Sequence, residues 1–226
     1  MKAEYGTTDF FVTSAEKTYQ AILQKIITGD FAPGKRLVRR SLAEALGVSS
    51  IPVLEALKRL EQDGLVEYRA RWGCIVAIPT IEKVKDMFVM REAIECQVSR
   101  VLAISATETQ KKTLRELAVE LDRVRYESAD ALLVTDFHYR LHMTMAEYAG
   151  FASLSAALRR LNFFWLLCKA VQHRRKKSEL QRNWHTTLIE TILNEGPEAA
   201  DRAMREHIRD SYVPFVEDLG VAVLAT

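Results

Sequence analysis

Residues 41–65 read SLAEALGVSSIPVLEALKRLEQDGL and predict two short helices separated by a tight turn. Ser41 and Glu44 have the spacing of a capping box, which predicts that the first helix begins at this serine. Gly47 follows the last apolar residue of that helix. Glycine readily adopts the left-handed conformation that closes a helix, so the turn is expected here.

The second helix of the pair is predicted to begin at Ser49 or Ser50, since either hydroxyl can cap it. Pro52 then lies in the first turn, where its missing N–H costs nothing. Gly64 ends the helix. Apolar residues recur at helical spacing between these limits, at Val53, Ala56, Leu57 and Leu60.

The flanking sequence extends this pair into a larger module. Thr13 and Glu16 form a second capping-box pattern, which predicts a helix upstream. Downstream, residues 65–68 and 74–78 are rich in strand-forming residues and enclose a basic, glycine-containing loop at 69–73, as in a β-hairpin. The order of helix, short helix, turn, helix and hairpin is typical of a winged helix-turn-helix.

Such a module places the helix after the turn in the major groove of DNA, with the hairpin as a wing. The predicted DNA-binding residues lie on this helix, on the wing and just before the second helix. They are Arg39, Arg40, Ser49, Ser50, Leu54, Lys58, Arg69, Arg71 and Gly73. The alternative is a small packing module whose loop is simply basic.

The character of the chain changes near residue 80, which predicts two domains, 1–79 and 80–226. The second half reads as about six helices joined by short connections, and short connections favour antiparallel neighbours. Thr80 and Thr107 are its clearest helix starts, and Pro197 begins the last helix. The predicted fold class is mainly α: an N-terminal winged helix-turn-helix and a C-terminal antiparallel all-helical bundle.

Four histidines of the second half are expected to meet inside this bundle. His138 and His142 are four residues apart and therefore share a helix face. His185 lies 11 residues before Gly196 and His207 lies 11 after it, so a helical hairpin about this glycine brings them to equal height. The four imidazoles are predicted to bind one divalent metal per chain, zinc or nickel. Alternatively, these histidines are ordinary core residues, or a metal-free pocket uses them to hydrogen-bond a ligand.

Three further residues are predicted to line an effector pocket. Arg91 lies on an apolar helix face, and a buried arginine requires an anion. That anion is either Glu95, four residues on, or the carboxylate of an effector. Trp184 adjoins His185 and can line the pocket or pack on the helix surface.

Composition excludes several classes of protein. Of 226 residues, 48% are apolar and 27% charged, which is typical of a globular chain. The net charge of +2 argues against a chain that is basic throughout. Three separated cysteines do not suggest a disulfide framework. We expect a cytoplasmic protein, because no apolar run approaches the roughly 20 residues of a membrane span.

The N-terminal motifs resemble the GntR family of bacterial repressors. The resemblance is carried by residues 31–37, 41–49, 52–57 and 60–66 and by Gly73. It implies that Arg40 contacts DNA. The family usually has arginines that read guanines at the positions of Ser50 and Leu54, so the resemblance implies an altered operator or weaker specificity. Leu54 could instead touch a thymine methyl.

Residues 82–212 are similar to the FCD effector domain of the FadR-type branch of this family, through residues 90–95, His142 with Gly150 eight residues on, His185 and His207. This resemblance implies a divalent metal held by one aspartate and three histidines in a pocket for a small carboxylate.

His142, His185 and His207 match the three FCD histidines, and His138 stands at the aspartate position. Phe151 replaces the asparagine that usually follows the glycine. The resemblance therefore carries over three of the four protein ligands.

We therefore expect a transcription regulator, a repressor, that binds a pseudo-palindromic operator as a homodimer and responds to a small carboxylic acid. A metalloenzyme with an accessory wing is disfavoured, because Tyr139 stands where the zincin motif requires glutamate. We expect no enzyme activity. A nonspecific architectural DNA binder is the third possibility.

Overall fold

The computed structural model describes residues 13–128, 131–171 and 182–218. The chain divides between Ile78 and Pro79 into two compact units. Among the described residues, no helix combines the length and apolar character needed to cross a membrane.

The N-terminal unit contains three helices and a two-stranded antiparallel sheet. Its elements are α1 (Ser14–Ile27), α2 (Arg39–Leu46), α3 (Ser50–Gln62), β1 (Val66–Arg69) and β2 (Gly73–Val76). Helix α1 packs on α3, and the strands pair from Val66 opposite Val76 to Arg69 opposite Gly73. The predicted order of helices and hairpin is confirmed.

A small apolar core explains this arrangement. The inward faces of α1 and α3 and the start of the hairpin are almost completely buried, at Tyr19, Ile22, Ile26, Val53, Leu57, Leu60, Leu65 and Val76. Backbone hydrogen bonds tie the segment before α2 to the sheet, for example from Leu37 N–H to the Cys74 carbonyl at 2.8 Å. The hairpin therefore belongs to the folded unit and is not a loose appendage.

The predicted cap at Ser41 is wrong. Helix α2 begins at Arg39 with Val38 as N-cap, so Ser41 lies within the first turn. The sheet holds the backbone at Leu37, and the chain enters the helix directly after leaving it. Ser49 occupies the N-cap position of α3, although its hydroxyl makes no capping hydrogen bond there.

Helices are the only regular secondary structure among the described residues of the C-terminal unit. Its elements are α4 (Ile81–Ser105), α5 (Glu108–Glu127), α6 (Ala131–Tyr148), α7 (Ala152–Val171), α8 (Trp184–Asn194) and α9 (Pro197–Asp218). Helix α4 packs against α6, α7, α8 and α9, and α5 packs against α6 and α8. The central position of α4 explains why its inward side chains reach residues from several helices.

Local capping signals define the helix starts of this unit. Thr80 accepts a hydrogen bond from the Lys83 N–H, and Thr107 forms a complete capping box with Gln110. These predicted starts are confirmed. The predicted mainly α fold class is also confirmed.

The capping box supports a stability prediction. Thr107→Ala leaves an N–H at the start of α5 without its acceptor, and we expect the free energy of unfolding to fall by about 1 kcal/mol. Thr109→Ala is the matched control, because Thr109 is exposed on the same turn. Denaturant unfolding of the full chain, followed by circular dichroism, checks this; equal losses in both variants would contradict the capping role.

Candidate metal centre and nucleic-acid interface

The four predicted histidines meet in the C-terminal unit. Helix α6 supplies His138 and His142, α8 supplies His185 and α9 supplies His207. The ring centroids lie 4.3 Å apart for His138 and His142, 5.3 Å for His142 and His207, and 5.2 Å for His185 and His207. We call these four residues the histidine cluster.

Three members of the histidine cluster are close enough to share one ion. One ring nitrogen from each of His138, His142 and His207 lies within 4.8 Å of the others. The His185 ring is 5.4 Å from that of His138, centroid to centroid. It therefore borders the same space as a fourth imidazole.

A buried chain of polar groups orients His142. Its Nδ1 contacts Glu95 Oε2, and Arg91 Nε donates to Glu95 Oε1 at 2.6 Å. Arg91 and Glu95 are 1% and 2% exposed. Burial alone would raise the pKa of Glu95, but the charge of Arg91 and the contact with the His142 ring lower it to about 2. Glu95 is therefore an anion that fixes the imidazole through Nδ1.

A second carboxylate orients His185. Asp122 on α5 accepts from His185 Nδ1 at 2.7 Å and from the backbone N–H of His185 and Thr186 at 3.1 and 2.8 Å. Asp122 thus accepts hydrogen bonds both from backbone N–H groups at the start of α8 and from the histidine side chain of that helix. Burial opposes ionisation of Asp122, but these hydrogen bonds lower its pKa. Sequence reasoning missed this residue.

With Nδ1 occupied, the other ring nitrogen is left for a ligand. Within the described residues, His142 Nε2, His185 Nε2 and both nitrogens of His207 are buried and have no hydrogen-bond partner. A buried polar atom without a partner is costly. Ligating histidines usually donate their other ring N–H to a carboxylate, which is the arrangement of His142 and His185.

The electrostatics favour the neutral form of His138, His185 and His207, which is the form that binds metals. Burial lowers the pKa of His138 and His207 well below its ordinary value, and neighbouring rings lower it further. Burial also lowers the pKa of His185, against the opposing effect of Asp122. The histidine cluster could therefore hold a metal ion, and an all-imidazole donor set suits zinc, nickel or copper better than magnesium.

The three predicted effector residues lie beside this site. Arg91 and Glu95 form the buried ion pair described above, which was one of the two alternatives for Arg91. The Trp184 ring lies 4.2 Å from that of His207 and 5.0 Å from that of His185, centroid to centroid. Trp184 thus covers one side of the histidine cluster. Phe151, which replaces the asparagine of the FCD pattern, is 54% exposed.

The predicted DNA-binding residues all belong to the N-terminal unit. On α3, Ser50 and Lys58 are exposed and Leu54 is partly exposed.

The arginines differ in their surroundings. Arg40 pairs with Glu44 at 3.1 Å and Arg69 with Glu67 at 2.5 Å, both at the surface. Arg71 has a positive φ of 68° at the hairpin turn and is exposed beside Gly73, whose φ is 75°.

Comparison with known proteins agrees with both units. Residues 14–76 match the family described as "Bacterial regulatory proteins, gntR family", and residues 86–210 match the FCD domain. The chain belongs to the GntR family and carries an FCD domain. It is a transcription regulator. The gntR family comprises regulatory proteins and the relatives are named as transcriptional regulators, in agreement with the prediction that it is not an enzyme.

Relatives support the same assignment along most of the chain. The transcriptional regulator YdhC of Bacillus subtilis is 22% identical over 84% of this chain and 85% of its own length. The transcriptional repressor RspR of Escherichia coli is 24% identical over 86% of each chain. The structure of E. coli McbR/YncC matches with a TM-score of 0.78 at 16% identity, covering 92% of this chain and 100% of that one, and shows the shared fold.

The buried ion pair supports a second stability prediction. Glu95→Ala leaves the buried Arg91 guanidinium without this carboxylate, and we expect a loss of about 3–5 kcal/mol. Glu92→Ala on the same helix is the control, because Glu92 pairs with Arg205 at a partly exposed site and should cost about 1 kcal/mol or less. Thermal and denaturant unfolding measure both; similar losses would show that burial adds nothing to the Glu95 interaction.

Proposed function

We propose that this regulator is a ligand-responsive repressor that binds a pseudo-palindromic operator as a homodimer. A small organic acid would bind beside a divalent metal in the FCD domain and change the affinity for DNA. The observation that carries the effector site is the convergence of four imidazoles, two of them oriented by buried carboxylates. We propose the cytoplasm as its location, since it acts on DNA.

His138, His142 and His207 would hold the metal, with His185 as a fourth ligand. When bound, the metal supplies a positive centre with coordination positions for carboxylate oxygens. Because neutral imidazole ligands add no negative charge to the coordination shell, the metal would remain a cation that attracts an anion. Glu95 and Asp122 would keep the rings in ligating orientation through Nδ1. We propose one zinc or nickel ion per chain.

The histidine cluster sets up a direct test. Elemental analysis of protein purified without a His tag or chelators should find about one metal per chain, and His142→Ala should lose it. Asp122→Asn should raise the metal dissociation constant about 10- to 100-fold, because the anionic partner of His185 is lost. Calorimetric titration with zinc measures this.

Glu120→Gln is the matched control on the same helix, since Glu120 pairs at the surface with Arg123. It should bind metal like the wild type. If the wild type neither contains metal nor takes up zinc or nickel, the metal proposal fails. The alternative is then a pocket in which the histidines hydrogen-bond the organic acid directly, and calorimetry with carboxylic acids would detect it.

The winged helix-turn-helix supports the DNA half of the proposal. In this motif the helix after the turn enters the major groove, and two copies bind half-sites about one helical turn apart. That helix is α3. A homodimer explains a palindromic site, and analytical ultracentrifugation with and without operator DNA tests the stoichiometry. The name of the relative RspR describes that protein as a repressor, which favours repression here.

The hairpin turn supports a prediction on salt dependence. Arg71 shows no ion pair within the described part of its unit, whereas Glu67 partly neutralises Arg69. Arg71→Ala should weaken binding about equally on all sequences and reduce the slope of log affinity against log salt by about one unit. Fluorescence anisotropy across a salt series measures the slope, with Arg123→Ala on α5 as control. A loss restricted to one operator sequence would instead assign Arg71 to base readout.

A further inference from the structure

The outward face of α3 has an unusual chemical character for a helix that reads DNA. Ile51, in the first turn, is 66% exposed. Leu54 lies three residues on, on the same side, and is partly exposed. The opposite face is fully used by the core, with Val53, Leu57 and Leu60 at most 1% exposed. Packing within the unit therefore does not require an aliphatic side chain at Ile51.

This face has few groups that recognise guanine. Arginine and lysine read the acceptor atoms of guanine in the major groove, and asparagine and glutamine read adenine. None of these residue types occurs in α3 before Lys58. The first turn offers a hydroxyl at Ser50 and the aliphatic surface of Ile51. Thymine is the base that presents a methyl group in the major groove.

Exposed cations in the same unit favour DNA as the binding partner of this face. Arg39, Arg40, Lys58 and Arg71 are all exposed in the same small unit. Cations of this kind neutralise phosphates and position a protein without reading sequence. A lipid or protein partner would not account for this combination with a helix-turn-helix.

We propose that Ile51, with Leu54 beside it, reads thymine methyl groups in each half-site of the operator. The inference rests on the proposed DNA-binding function and adds the base class that α3 recognises. Ile51 is the principal residue, because it is more exposed and because N-terminal residues of a recognition helix contact base edges. Burial of one methyl group against it should change affinity about fourfold.

The test removes single methyl groups from the DNA. Selection from random duplexes with the full-length protein would first supply the operator. Each thymine is then replaced singly by deoxyuridine, which keeps base pairing and lacks only the methyl. Fluorescence anisotropy at one salt concentration should show a loss of about fourfold at one or two positions per half-site and no change elsewhere.

Variants then assign the methyl contact to the residue. Ile51→Val keeps branched methyl groups and should retain sensitivity to deoxyuridine. Ile51→Ser should bind thymine and deoxyuridine operators equally at the sensitive position, as a double-mutant cycle requires for a direct contact. Val119→Ser is the control, because Val119 is an exposed aliphatic residue on α5 in the other unit.

The outcomes separate the inference from the function on which it rests. If the protein enriches a palindrome but no deoxyuridine substitution changes its affinity, methyl readout is wrong while operator binding stands. If the sensitivity persists undiminished in Ile51→Ser, another residue reads the methyl and the assignment is overturned. If no sequence is enriched, operator binding and the inference fail together.

Discussion

The geometry of the C-terminal unit depends on buried carboxylates that each hold one imidazole by Nδ1. An imidazole fixed in this way has only Nε2 left to meet a ligand, so its direction is decided before any ligand arrives. Glu95 does this for His142 and Asp122 does it for His185. Arg91 supplies the positive charge that keeps Glu95 ionised inside the protein.

These anchors also join helices that are distant in sequence. Asp122 connects α5 to the start of α8, and Glu95 connects α4 to α6. His207 brings α9 to the same point. A ligand that bound differently to two arrangements of these helices would shift the balance between them, which is the physical requirement for effector control.

The N-terminal unit combines the winged-helix core of its family with an unusual set of side chains on the exposed face of α3. Its buried positions follow the family pattern, since the core of a winged helix needs apolar residues at fixed helical intervals. The exposed positions of α3 have no such constraint, and near the start of the helix they place the aliphatic side chain of Ile51 beside Ser50 and the partly exposed Leu54. The fold and the proposed base preference therefore depend on opposite faces of one helix.

The sequence by itself determined the element order and the helix starts that rest on local chemistry, as at Thr107. It also placed His185 and His207 together, because helical periodicity and one turn are sufficient for that. Only the tertiary structure decided that Ser41 is not a cap, because a hydrogen bond from Leu37 N–H to the sheet fixes the chain just before α2. It alone revealed Asp122, which lies 63 residues from His185 in sequence. Such a contact depends on how two helices pack, and no local pattern encodes that packing.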